Sequence, residues 1–220
     1  MRAALILGAA LALAACSEDA REELRDDPVA EGREVVVVEA ASGPDGLLPP
    51  IEGEDAWALD PGASTVLFTG RQGEDEFTGR FGAFDAQVRL DPDDPSDASI
   101  VAAVDLGSVD AGTGDRNASL PEAGWFDVAR HPRATFRSTE VRALGEGRYE
   151  ADGVLSLKGV DRDVTLPFTL DVEGDRAVAD GQLVLDRSDF GVGQGDFAGP
   201  EWVGTEVAVA VHVEAVRAAP

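Results

Sequence analysis

Leu183-Val184-Leu185-Asp186-Arg187-Ser188-Asp189-Phe190-Gly191-Val192-Gly193 is the stretch on which the reading of this chain turns. It opens with the alternation of a half-buried strand and closes in a charged, aromatic, glycine-rich corner, so a sheet interior meets a polar end here. Outward from it, the same period of two holds from Trp57 almost to the C-terminus. The alternation predicts strands at 64–69, 76–90, 99–109, 133–143, 148–158, 163–172, 176–187 and 204–216. No helix-period stretch of any length interrupts them. The breaks are turn chemistry: Asp91-Pro92-Asp93-Asp94-Pro95, Gly145-Glu146-Gly147, Gly159-Val160-Asp161 and Glu173-Gly174-Asp175. Short turns between successive strands make neighbours antiparallel, and eight of them favour an all-β, up-and-down closed barrel.

Parity names the inward faces. Val207, Val209, Val211 and Val213 share one side of the last strand, and Ile100, Ala102, Val104 and Leu106 share one side of another. In the long second strand the apolar parity jumps from Phe77 and Phe81 to Phe84, Ala86, Val88 and Leu90. A bulge is therefore predicted at Gly82-Ala83, bending the strand around a barrel corner. Two inward faces run from small to large, Tyr149-Ala151-Gly153-Leu155-Leu157 and Ala177-Ala179-Gly181-Leu183-Leu185. Small inward residues fit either an open cavity or a close neighbour, and the pattern leaves both standing. The connection 111–132 is long for a compact domain. Ser119-Leu120-Pro121-Glu122 and Trp125-Phe126 predict a short helical turn and an aromatic pair over the barrel mouth.

The formal net charge is −25, from 43 acidic and 18 basic residues. Such a field repels phosphate backbones, so nucleic-acid binding is not expected. At the N-terminus Arg2 precedes an apolar run too short to span a bilayer, followed by Leu13-Ala14-Ala15-Cys16. This resembles a bacterial lipoprotein signal, which implies removal of 1–15 and acylation of Cys16, the chain's single cysteine. Two or more acyl chains, at roughly 0.8 kcal/mol per buried CH₂, hold a protein on a membrane where one does not. The resemblance implies a periplasmic, membrane-anchored location, and Ser17 favours the outer membrane. Residues 16–55 are rich in Glu, Asp, Ala, Gly and Pro and read as an acidic flexible tether, with the β-prone run Val35-Val36-Val37-Val38 inside it. Residues 56–220 form the domain.

Several fragments together resemble a known family: Trp57-Ala58-Leu59-Asp60-Pro61, Gly79-Arg80-Phe81, Trp125-Phe126-Asp127-Val128, His131-Pro132-Arg133-Ala134-Thr135-Phe136-Arg137-Ser138, Gly153 to Val160, and Asp186-Arg187-Ser188-Asp189-Phe190-Gly191. In this order they are similar to the YceI-like domain. The resemblance implies a lipocalin-like eight-stranded barrel, with a long loop or short helix over one end, that binds a polyisoprenoid or another long-chain lipid. It brings no catalytic residues and no resident cofactor; a polyprenyl or quinone-type lipid is the expected ligand. Val203-Gly204-Thr205 and Phe190-Gly191-Val192-Gly193-Gln194-Gly195 resemble a subgroup associated with membrane b-type cytochromes, which implies a quinone-related role and such a cytochrome as partner. Where the family commonly has Arg-Asp, this chain has Arg116-Asn117, which removes a carboxylate that could orient a head group.

The candidate ligand wall is Phe81, Phe84, Trp125, Phe126, Phe136, Leu155, Leu157, Phe168, Leu183, Leu185, Arg187 and Phe190, with Phe190 and the following glycines as a mobile lid. Arg187 shares parity with Leu183 and Leu185, where an unpaired charge is costly. It fits either a structural ion pair with Asp189 or Asp127, or a hydrogen bond to a lipid head group. No metal site is expected: His131 and His212 lie on distant elements, and the acids at 91–97 lack calcium-loop spacing. No nucleophile elbow appears, and Gly191-x-Gly193-x-Gly195 opens no helix. The leading expectation is a non-enzymatic, membrane-tethered lipid-binding barrel. The alternatives are an acidic module docking on a redox complex and, third, an enzyme acting on isoprenoids.

Overall fold

The computed structural model describes residues 47–53 and 55–218. The signal at 1–15, Cys16, the Val35-Val36-Val37-Val38 run and most of the 16–55 tether lie outside the described residues. The strands are β1 (Ala56–Leu59), β2 (Thr65–Gln72), β3 (Asp75–Phe81), β4 (Phe84–Arg89), β5 (Ser99–Asp105), β6 (Val109–Asp110), β7 (Arg133–Gly145), β8 (Arg148–Leu157), β9 (Val160–Glu173), β10 (Arg176–Asp186) and β11 (Glu206–Arg217). The ring runs β1-β4-β5-β7-β8-β9-β10-β11 and closes where β1 pairs with β11. β2, β3 and β6 prolong the first three staves, because β11 bonds β1 through Ala215 to Arg217 and β2 through Ala208 to His212. This is the eight-stave antiparallel barrel that the alternation predicts, with three staves each broken in two.

Two of the breaks have a plain local cause. Between β3 and β4 the chain kinks at Gly82-Ala83, as the parity jump predicts. Ser108 satisfies the kink: its carbonyl accepts Gly82 N–H at 3.1 Å and its hydroxyl accepts Ala83 N–H at 3.0 Å. Asp60-Pro61-Gly62 separates β1 from β2, and Ser64 re-enters the sheet by accepting Glu214 N–H on its hydroxyl at 3.0 Å. The β8–β9 reversal sits at Lys158-Gly159, one residue ahead of the predicted turn, with φ of 53° and 74° as a two-residue hairpin loop requires.

A second irregularity lies in β7, where the pairing with β8 shifts between Ser138 and Glu140. Gly153 stands opposite it. A Cβ on Gly153 would lie 2.4 Å from the Arg137 carbonyl oxygen and 2.7 Å from the Phe136 ring. Here the small residue answers a close neighbour. We predict that Gly153→Ala costs about 1–3 kcal/mol, the usual range for overpacking. Gly181→Ala, whose nearest neighbours are side chains at 3.1 Å, should cost less. Urea midpoints compare the two, and equal midpoints would count against this account.

One end of the barrel is floored by Trp57, Leu90, Ala177 and Ala215, all buried. Trp57 donates from Nε1 to the Leu90 carbonyl at 3.0 Å, and the Arg217 guanidinium lies 4.5 Å from the centre of its ring. The other end is covered by the segments that follow β6 and β10. The chain ahead of β1 is not all free tether. Leu48 is buried and its N–H meets Asp85 Oδ2 at 3.2 Å. Gln87 Nε2 donates to the Pro49 carbonyl, and Arg89 donates to the Glu52 carbonyl at 3.2 Å. Residues 47–52 thus form a strap along β4, which moves the start of the folded unit ahead of residue 56.

Candidate functional site

The barrel interior contains a cavity of about 320 Å³. Every wall residue named from the sequence lines it: Phe81, Phe84, Trp125, Phe126, Phe136, Leu155, Leu157, Phe168, Leu183, Leu185, Arg187 and Phe190. The inward valines of β11, Ala86, Ala102, Ala177 and Ala179, and Trp57, Phe68, Phe77, Leu106 and Leu120 are among the others that line it. Parity could have supplied most of these, because they sit on the same alternating faces. Among the described residues, Asp85, Thr135 and Arg187 are the only ones in the lining whose side chains are charged or hydroxylated. Such a surface recognises hydrocarbon by shape and water exclusion, with little to orient a polar ligand.

The covered end is built from two loops. The first carries α1 (Gly114–Ser119), capped by the Thr113 hydroxyl, which accepts Arg116 N–H at 3.4 Å. This helix falls ahead of the turn predicted at Ser119 to Glu122, because Pro121 has no N–H with which to extend it. Leu120, Trp125 and Phe126 then lie over the mouth, as their spacing predicts, and Phe126 sits 6.0 Å from Phe81 ring to ring. Asn117 takes a structural part at the position where the family commonly has an aspartate. Its Oδ1 accepts Ala111 N–H at 2.6 Å, and its amide donates to Asp110 Oδ1 at 3.1 Å. That bond, with one from Gly112 N–H, holds the Asp110 carboxyl below the usual carboxylate range.

The second loop begins with a 3₁₀ turn, Arg187–Phe190, and is held by the arginine that opens it. Arg187 is 5% exposed. Its Nε donates to the Gly204 carbonyl at 2.9 Å, and one terminal nitrogen donates to Val192 and Gly193 at 2.8 and 3.0 Å. The other reaches the Phe197 and Val203 carbonyls, both at 2.7 Å, and Gly199 at 3.4 Å. All five N–H donors of a guanidinium are thereby used on backbone carbonyls. The sequence offered an ion pair with Asp189 or Asp127, or a head-group contact; among the described residues the guanidinium pairs with neither acid, and its donors go to backbone carbonyls. Asp127 instead pairs with Arg130 at 2.5 Å. Burial pushes the Arg187 guanidinium below its ordinary value, and the nearby Asp186 charge opposes that shift.

Gly193 is forced at its position twice over. Its φ is +74°, and a Cβ there would lie 2.2 Å from the Arg187 terminal nitrogen. The lid expected to be mobile is instead pinned. Phe190 is 2% exposed, Gly193 and Gln194 N–H donate to the Gly124 carbonyl of the first loop, and Lys158 Nζ donates to the Gly191 carbonyl at 2.6 Å. Burial lowers the Lys158 ammonium, against the pull of Asp127.

The two histidines stay apart from the cavity. The His131 ring packs against Gly159, and His212 lies on the outer face with Nδ1 2.7 Å from Asp180. That contact raises the His212 imidazole above its ordinary value. Among the described residues no group of three or more His, Cys, Asp or Glu could hold a metal ion.

A closed antiparallel barrel around an apolar cavity, floored at one end and looped over at the other, defines a lipocalin-like ligand-cavity protein. Within that class the chain belongs to the YceI-like domain family, whose model matches residues 57–215. A UPF0312 protein of Pseudomonas aeruginosa is 33% identical over 145 residues, covering 63% of this chain and 73% of its own. The crystal structure of Burkholderia cenocepacia BcnA superposes with a TM-score of 0.69 at 32% identity, over 71% of this chain and 98% of BcnA. A polyisoprenoid binding domain from Saccharophagus degradans, implicated in plant cell wall breakdown, shares the fold at 17% identity, with a TM-score of 0.60 over 75% of this chain and 99% of that domain.

Proposed function

We propose that this chain is a non-enzymatic, membrane-tethered periplasmic protein that sequesters, carries or presents a polyisoprenoid or an isoprenoid quinone. The observation that carries the reading is the cavity: a continuous aliphatic and aromatic wall whose one arginine has its donors spent on the backbone. A polar ligand would find few partners there beyond Asp85 and Thr135, and an isoprenoid chain needs none. The Saccharophagus polyisoprenoid binding domain supports the same chemical class by fold. The leader ahead of Cys16 supports tethering, and the Phe190-to-Gly195 and Val203-to-Thr205 variants support a quinone and a b-type cytochrome as partner.

Organic extraction and mass spectrometry of the purified chain test the ligand. A co-purifying isoprenoid is expected at close to one per protein. An empty barrel that also fails to take up a polyprenol would overturn the reading and favour an acidic docking module. Cys16→Ser is expected to release the protein from membranes, and continued retention after that change would remove the lipid anchor from the proposal.

A further inference from the structure

We propose that the apolar ligand enters and leaves the cavity sideways, through a split in the barrel wall between β9 and β10, rather than through either end. The inference rests on the lipid-binding reading above. The β9–β10 ladder runs from Arg176↔Glu173 to Gly181↔Phe168 and stops. Both strands continue, β9 back to Val160 and β10 on to Asp186, each still paired to its outer neighbour. Residues 160–167 and 182–186 therefore flank each other without a ladder.

Pro167 accounts for the stop. Leu170 N–H donates toward β8, to the Gly147 carbonyl at 2.8 Å. Alternate residues of a strand bond opposite neighbours, so residue 167 faces β10, across from Gln182. After Thr169↔Asp180 this is the next pair that would exchange hydrogen bonds, and proline brings no N–H to it. Beyond that point the wall is made of side chains. Val164, Leu183, Leu185 and Phe190 line the cavity and also line an outer groove, so one layer of side chains separates inside from outside. Val184, 62% exposed, gives the groove an apolar outer lip.

The ends offer no comparable route. Opening the floor displaces Trp57 from its buried hydrogen bond, and opening the cover breaks the Arg187 clamp. Parting the split beside Val164, Leu183 and Leu185 asks for rotamer changes in aliphatic side chains with Phe190 held in place, and such changes are far faster than the opening of buried polar networks.

The test uses the full chain carrying Cys16→Ser, so that introduced thiols are the only ones. Thr165→Cys with Val184→Cys places two outward thiols across the split, and a short bismaleimide joins them. Asp171→Cys with Val178→Cys places the same link across intact ladder, as a control. A dansyl-labelled geranylgeranyl probe is followed by stopped flow. The link at 165/184 is expected to slow association and dissociation at least tenfold together, leaving affinity nearly unchanged, while the control link leaves both rates as they were. Pro167→Thr, which restores the donor and needs no chemical link, should slow exchange in the same direction. Exchange at the unlinked rate with 165 and 184 joined, or equal slowing by both links, would overturn the portal and leave lipid binding standing. An unlinked protein that takes up no probe would overturn both.

Discussion

Arg187→Ala is expected to lower the unfolding free energy by at least about 3 kcal/mol, the worth of two charge-assisted hydrogen bonds at roughly 1.5 kcal/mol each. The guanidinium gathers carbonyls from 192–193, 197–199 and 203–204 onto one point, and no other side chain could replace it there. Arg187→Lys should recover little of the loss, because an ammonium has three donors at one position and cannot span the same acceptors. Urea denaturation of the purified protein gives the measurement. Of the two roles that the sequence left open for Arg187, a head-group contact would leave stability intact and weaken lipid binding. A variant as stable as the parent, with reduced lipid, would restore that earlier reading and remove the clamp.

The second large effect lies at the opposite end. Trp57→Ala should cost about 3–5 kcal/mol, the usual range for emptying a buried aromatic site. Trp57 is 3% exposed, packs with Leu90, Ala177 and Ala215, and closes the floor through its indole N–H. Trp57→Phe keeps most of the packing and leaves the Leu90 carbonyl without its donor, which should cost about 1–3 kcal/mol. Thermal or urea unfolding of the pair separates packing from hydrogen bonding. Two variants with the same loss would show that the hydrogen bond, rather than the ring, holds the floor.

The staves were legible because alternation is a one-residue property, readable from each strand by itself. The Phe81-to-Phe84 parity jump gave away the kink for the same reason, and the wall followed from the inward faces. Arg187 was legible as an interior charge and not as a clamp, since its partners are carbonyl oxygens that every residue carries. Residues 47–52 read as tether because two leucines and an isoleucine split by two prolines make no period, and their docking depends on Asp85, Gln87 and Arg89 arriving from β4. Pro167 lay in plain view inside an alternating run. Its effect required knowing which neighbour its missing N–H would face, which is a matter of register rather than composition.

The seam of the ring has a consequence for how the chain reaches its native state. Every stave lies beside its predecessor in sequence except at the closure, where β11 bonds β10 on one side and β1 with β2 on the other. The Ser64–Glu214 hydrogen bonds at that seam join residues 150 apart. Such distant pairing raises contact order and slows folding. Until β11 is made, β10 and the β1–β2 stave are two open edges facing solvent, each able to recruit another chain. The barrel can therefore close only once β11 has been made, and the open-edged intermediate before that point is the species that gains most from a holdase.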